Sequence, residues 1–125
     1  MNERRVRVAV VDDDPSVRRA LQRILKVMDI GVASFGSGEE FLASLQWQRP
    51  DCVVLDLLMP GMSGLEVQEQ LNRLEERPPA IIVTGHHEPG MRRRCILAGA
   101  AGYLQKPIAG DLLKRAIDQA IEGGS

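Results

Sequence analysis

The sequence predicts an α/β fold: a doubly wound (βα)5 domain with a parallel five-stranded sheet in the order 2-1-3-4-5. Three observations predict it. Five short apolar runs alternate with five amphipathic segments, which is the signature of repeated βαβ units. The first, third and fourth runs are apolar without alternation, as strands buried on both faces are. Polar residues gather where the runs end, and in such sheets ligands bind outside the carboxyl ends of the strands.

The elements follow in order. "VRVAVV" (Val6–Val11) is the first strand. "PSVRRALQRILKVM" (Pro15–Met28) is a helix, with Val17, Leu21, Ile24, Leu25 and Met28 at helical spacing and Pro15 suited to its start. "GVASF" (Gly31–Phe35) is the second strand, and Ser37–Gln48 an amphipathic helix capped by Ser37 or Gly38. "CVVLD" (Cys52–Asp56) is the third strand, followed by a helix over Ser63–Glu76. "AIIVT" (Ala80–Thr84) is the fourth, entered through Pro78-Pro79, and Gly90–Ala100 a short helix ending at glycine. "GYLQ" (Gly102–Gln105) is the fifth, and Gly110–Glu122 the closing helix.

Composition bounds the class. The chain has 125 residues, 44% hydrophobic, 26% charged and only 3% aromatic. That is one domain, 1–125, structured over roughly 6–122, with a core of Leu, Ile, Val, Ala and Met. A net charge of −1 gives no pull toward nucleic acid or anionic membrane. Apolar stretches fall far short of the ~20 residues of a membrane span, and "MNERRVRVAVVDDD" does not read as a signal peptide. Cys52 and Cys95 lack metal-like spacing and read as buried thiols in a reducing compartment. The expected location is the cytoplasm.

Four of the five strand ends deliver polar groups: Asp12-Asp13-Asp14, Asp56, Thr84 and Lys106. Each has an ordinary explanation alone. Asp12 or Asp14 can cap a helix, Asp56 can open a turn, and Lys106 can be solvated. Together they read as a site. Clustered carboxylates repel, which raises the pKa of some of them, so the site wants cations. Lys106 supplies one, and an all-oxygen set suits Mg²⁺ or Mn²⁺. A carboxylate can itself attack phosphorus and form an aspartyl phosphate, with metal and ammonium neutralising the phosphoryl oxygens. Asp56, on a stiff apolar strand before Pro60, Gly61 and Gly64, fits that role. His86 and His87 read as polar loop residues.

These segments resemble the receiver domain of bacterial two-component response regulators, whose fold is flavodoxin-like. "VVDDD" resembles its acidic pocket, "VLDLLMPGMSGLE" its acceptor strand and loop, "VTGH" its switch strand and "AGAAGYLQKP" its Lys-Pro motif. The wording is most similar to receivers of helix-turn-helix transcriptional regulators. The resemblance implies Asp56 as phospho-acceptor, and Asp12, Asp13, Asp56 and the Leu58 carbonyl around Mg²⁺. It implies Thr84 and Lys106 on the phosphoryl oxygens and Tyr103 as a switch aromatic that turns inward when Thr84 moves. It also implies a cis Lys106-Pro107 peptide.

Implied partners are a histidine kinase or phosphotransfer protein, and a phosphorylation-dependent second copy through the fourth helix, fifth strand and fifth helix. There Arg92-Arg93-Arg94 beside Ile96 and Leu97 would meet acids such as Asp111 or Asp118. Nucleic acid and membrane are not expected as direct partners. The domain is expected to take part in its own phosphorylation and dephosphorylation rather than to turn over a substrate. Leu58 is apolar where many relatives are polar, at a position that tunes dephosphorylation. No output domain is expected within this chain: the expectation is either a stand-alone receiver or a piece of a longer protein with a C-terminal DNA-binding domain.

Two alternatives share features. A haloacid-dehalogenase-type phosphatase also uses an aspartate nucleophile, but Ser16 stands where Thr or Val is wanted, and the further acidic pair that family needs after its lysine has no suitable candidate here except Asp111. A flavin-binding module would have its phosphate repelled by three acids after strand one.

Overall fold

The computed structural model describes residues 5–123. Strands β1 (Arg7–Val11), β2 (Gly31–Phe35), β3 (Cys52–Asp56), β4 (Ala80–Thr84) and β5 (Gly102–Gln105) alternate with helices α1 (Pro15–Val27), α2 (Gly38–Ser44), α3 (Gly64–Leu71), α4 (Met91–Leu97) and α5 (Gly110–Gly123). The sheet is parallel, in the expected order β2-β1-β3-β4-β5. Register pairs Val11 with Leu55, Asp56 with Val83 and Thr84 with Gln105. The carboxyl ends of the four strands therefore lie level along one edge.

Neighbouring strand residues point to opposite faces. Ala9, Val11, Val53, Leu55 and Ile82 pack with Phe41, Val67, Leu71 and Cys95 of α2, α3 and α4. Val8, Val10, Val54, Ile81 and Val83 pack with Leu21, Leu25, Leu113 and Ile117 of α1 and α5. Both faces are covered, which is why these strands read as unbroken apolar runs.

Four helices end earlier than their periodicity suggests. Apolar spacing carries α2 to Gln48, yet it stops at Ser44, whose hydroxyl turns back to donate to the Phe41 carbonyl at 2.6 Å. The α3 pattern runs to Glu76, yet the helix ends at Leu71 with Asn72 as its cap. The Asn72 amide donates to the Ala98 carbonyl at 2.7 Å, so that side chain joins the ends of α3 and α4. α4 is shorter at both ends than Gly90–Ala100, because Gly90 and Gly99 both hold positive φ. α1 stops one residue short of Met28, and α5 runs one residue past Glu122. β1 begins at Arg7 rather than Val6, and the other four strands keep their expected bounds.

Cys52 and Cys95 are buried free thiols, and burial pushes Cys52 up to about 12. Among the described residues no helix is long and apolar enough to cross a membrane.

Candidate functional site

β3 ends in Asp56, which is 5% exposed. One strand over, Asp12 follows β1 and is 1% exposed. Burying two carboxylates without a counter-charge is costly. Lys106, just past β5, supplies that charge: its ammonium lies 2.9 Å from Asp12 Oδ2 and 3.3 Å from Asp56 Oδ1. Asp13 is exposed, and one oxygen each from Asp12, Asp13 and Asp56 falls within 4.8 Å of the others. Asp14 is the N-cap of α1, with Oδ1 accepting from the Ser16 N–H at 2.9 Å.

The electrostatics follow from this crowding. Burial, then the charge of Asp12, pushes the Asp56 carboxyl up to about 6, while Lys106 pulls it back. For Lys106, burial disfavours the ammonium, but its hydrogen bond to Asp12 and the charge of Asp56 outweigh that and raise it.

The loop after Asp56 is held by α3. Ser63 and Glu66 form a reciprocal capping box at the helix start. Gly64 follows directly, and its N–H donates to the Leu57 carbonyl at 2.9 Å. A Cβ at Gly64 would lie 2.5 Å from the Asp56 carbonyl oxygen and 2.9 Å from Leu57 Cα. Only glycine lets the helix approach the end of β3 this closely. The Leu58 side chain is exposed, and Gly61 turns the chain at φ 78°.

On the neighbouring strand Thr84 is fully buried. Its Oγ1 accepts from the His86 N–H at 3.0 Å, which leaves the hydroxyl proton to donate. The Lys106-Pro107 peptide is cis.

Tyr103 does not join the cluster. It lies on the α2–α3–α4 face of the sheet, already turned inward and 4% exposed. Its hydroxyl is 2.7 Å from His87 Nδ1, and the two rings sit 5.7 Å apart. The sequence reads His87 only as a polar loop residue and misses this bond, because a histidine in a glycine- and proline-bounded loop carries no periodicity to place it. Asp118, offered above as an acid for a second copy, pairs with Lys114 one turn away in its own helix at 3.0 Å.

A cavity of about 770 Å³ lies at the amino-terminal ends of β4 and β5, beside Arg77, Gly99 and Gln119, away from the carboxylates.

The donor set is all oxygen, with the half-buried Lys106 as counter-charge. It fits a hard divalent cation such as Mg²⁺ and lacks the nitrogen and sulfur that zinc favours.

Residues 8–118 match the response regulator receiver domain family. Nodulation protein W of Bradyrhizobium diazoefficiens is 39% identical over 115 residues, 92% of this chain and 51% of its own length. The C4-dicarboxylate transport transcriptional regulatory protein DctD of Rhizobium meliloti is 36% identical over 115 residues, 92% of this chain and 25% of DctD. The chain thus spans about half the length of the first and a quarter of the second. A crystal structure of FixJ-N superposes with a TM-score of 0.87 at 34% identity, covering 96% of each chain. This match gives the haloacid-dehalogenase alternative no support: the chain belongs to the response regulator receiver domain family.

Proposed function

We propose that Asp56 accepts a phosphoryl group from a histidine kinase or phosphotransfer protein, and that the aspartyl phosphate resets the surface around α4, β5 and α5. A carboxylate oxygen of Asp56 forms the new P–O bond as the donor's P–N bond breaks and the donor histidine leaves. Asp56 is ionised for this at neutral pH, above its value of about 6. Lys106 moves its hydrogen bonds onto the phosphoryl oxygens, and Thr84 donates its hydroxyl to another. Asp12, Asp13, the Asp56 carboxylate and the Leu58 carbonyl would hold Mg²⁺. When bound, that ion neutralises phosphoryl charge and orients the incoming group.

The observation that carries this reading is the single ammonium of Lys106 bridging carboxylates from two strand ends, at 2.9 Å and 3.3 Å. The signal then passes through Thr84. The His86 N–H rides on the Thr84 hydroxyl, and the next residue holds Tyr103. Drawing Thr84 toward the phosphate therefore shifts the loop that anchors the Tyr103 ring. The phosphate needs only to favour one packing to shift the population. The exposed Arg92, Arg93, Ile96 and Leu97 of α4 become the surface that a second copy or an output domain reads. DctD is named as a transcriptional regulatory protein, and transcriptional output from the cytoplasm is the reading proposed here too. The domain takes part in its own phosphorylation and dephosphorylation.

The test is intact-mass analysis with a small phosphodonor. One phosphate is expected with Mg²⁺, little without it, and none on Asp56→Asn. Labelling of the Asn variant would refute the assignment.

A further inference from the structure

Asp12 is buried, so each of its polar groups needs a partner. Its N–H donates to the Phe35 carbonyl at 3.1 Å. Its Oδ1 accepts from the Asp14 N–H at 2.9 Å, and its Oδ2 from Lys106 at 2.9 Å. The carbonyl remains, and Arg18 Nη1 donates to it at 2.6 Å. Arg18 reaches back from the first turn of α1 and lies against Gly36, just past β2, where a Cβ would stand 3.4 Å from Nη1.

We infer that Arg18 is the positioning residue of the acidic loop. By fixing the carbonyl of Asp12 it sets the turn that carries the Asp12 and Asp13 carboxylates toward Asp56. The peptide unit in question joins Asp12 to Asp13, so the orientation of that plane decides where the Asp13 side chain leaves the backbone. Asp13 has the greatest need of this help. It is exposed, and neither the sheet nor Lys106 holds its side chain. The bond is short and charge-assisted, the stronger class of hydrogen bond. Lys106 cannot serve in its place, because it grips side-chain oxygens and leaves the peptide plane free to turn.

This inference rests on Asp12, Asp13 and Asp56 being the cation and acceptor site, and the test separates the two. Mg²⁺ affinity is measured by calorimetry on wild type, Asp13→Ala, Arg18→Met and Arg18→Lys, with thermal midpoints in chelator as a control for folding. Amide exchange of Asp13 and Asp14 is followed in the same metal-free proteins. Met keeps the apolar stem and removes every donor. Arg18→Met should weaken Mg²⁺ binding by about tenfold and speed exchange at Asp13 and Asp14. Arg18→Lys, which keeps a charged donor, should recover at least half of that loss on a logarithmic scale. Unchanged Mg²⁺ affinity in Arg18→Met, with only its thermal midpoint lowered, would overturn the inference and leave Arg18 a structural residue. If wild type itself binds no Mg²⁺, or Asp13→Ala binds it as wild type does, the underlying site reading fails instead.

Discussion

The acidic pocket and the α4–β5 edge are built on opposite principles. In the pocket, Asp12, Asp56 and Thr84 are buried at the ends of central strands, and each polar group of Asp12 has a partner. At the edge, α4 has seven residues, its N-cap is Gly90 in the left-handed region, and no side chain caps its first turn. The loop from Gly85 to Gly90 that precedes it is exposed throughout. On the proposed reading, chemistry that needs fixed atoms sits on rigid elements, while the readout sits on an element with few restraints. Among the described residues, the hydrogen bonds that tie this loop to the sheet are those of His86 to Thr84 and of His87 to Tyr103. The difference teaches that a change at Thr84 meets little resistance on its way to Tyr103.

Substitutions should expose this asymmetry, largest in the pocket. Lys106→Met leaves two buried carboxylates without their cation. Stability in chelator at pH 7 should fall by about 2–4 kcal/mol, measured by urea unfolding.

Asp56→Asn should do the reverse. The folded carboxyl sits at about 6, against an ordinary value of 3.8. Between those values the native state binds the proton more tightly than the unfolded chain does. Wild-type stability in chelator therefore falls as pH rises from about 4 to about 6. Asn carries no such charge, so its stability should be nearly flat across that window. It should exceed wild type at pH 7 by at most about 3 kcal/mol. Urea midpoints at pH 4 and pH 7 check both statements. A wild type whose stability rises through this window would contradict the burial argument.

Gly64→Ala comes next. The added Cβ would meet backbone at 2.5 Å, where no side chain can swing away. A loss of about 1–3 kcal/mol is expected, together with slower phosphate uptake, because the displaced backbone is that of Asp56.

His87→Ala should be the mildest for stability, at about 1 kcal/mol for a buried hydroxyl losing its partner. Phosphate uptake should be unchanged. Tyr103 is the chain's single tyrosine, so its near-ultraviolet absorption reports the loss directly. Tyr103→Ala should leave uptake nearly intact but weaken any phosphate-dependent self-association, which sedimentation reads.

Much of this was legible in the sequence because strand ends were. Cys52–Asp56 and Ala80–Thr84 are apolar up to a polar terminus, and a parallel sheet with both faces covered brings such termini to one edge. Helix ends were less legible. Ser44 and Asn72 stop α2 and α3 by side-chain bonds that apolar spacing does not encode. Arg18 and His87 were not legible as partners at all. Arg18 sits on the polar side of an amphipathic helix, and only the folded β1–α1 turn brings the Asp12 carbonyl within its reach. The place of His87 depends on a loop conformation that composition leaves free.

The central claim is that a phosphoryl group on Asp56 changes the surface at Tyr103. Amide hydrogen exchange along the whole chain, with Mg²⁺ and with or without a phosphodonor, tests it most directly. The account predicts altered exchange in three places: the turn after β1, the loop from Gly85 to Gly90, and β5 around Tyr103. α1 and β2 should be unaltered. Exchange that changes only around Asp12, Asp13 and Asp56, and stays the same from Gly85 through Tyr103 in fully phosphorylated protein, would contradict it.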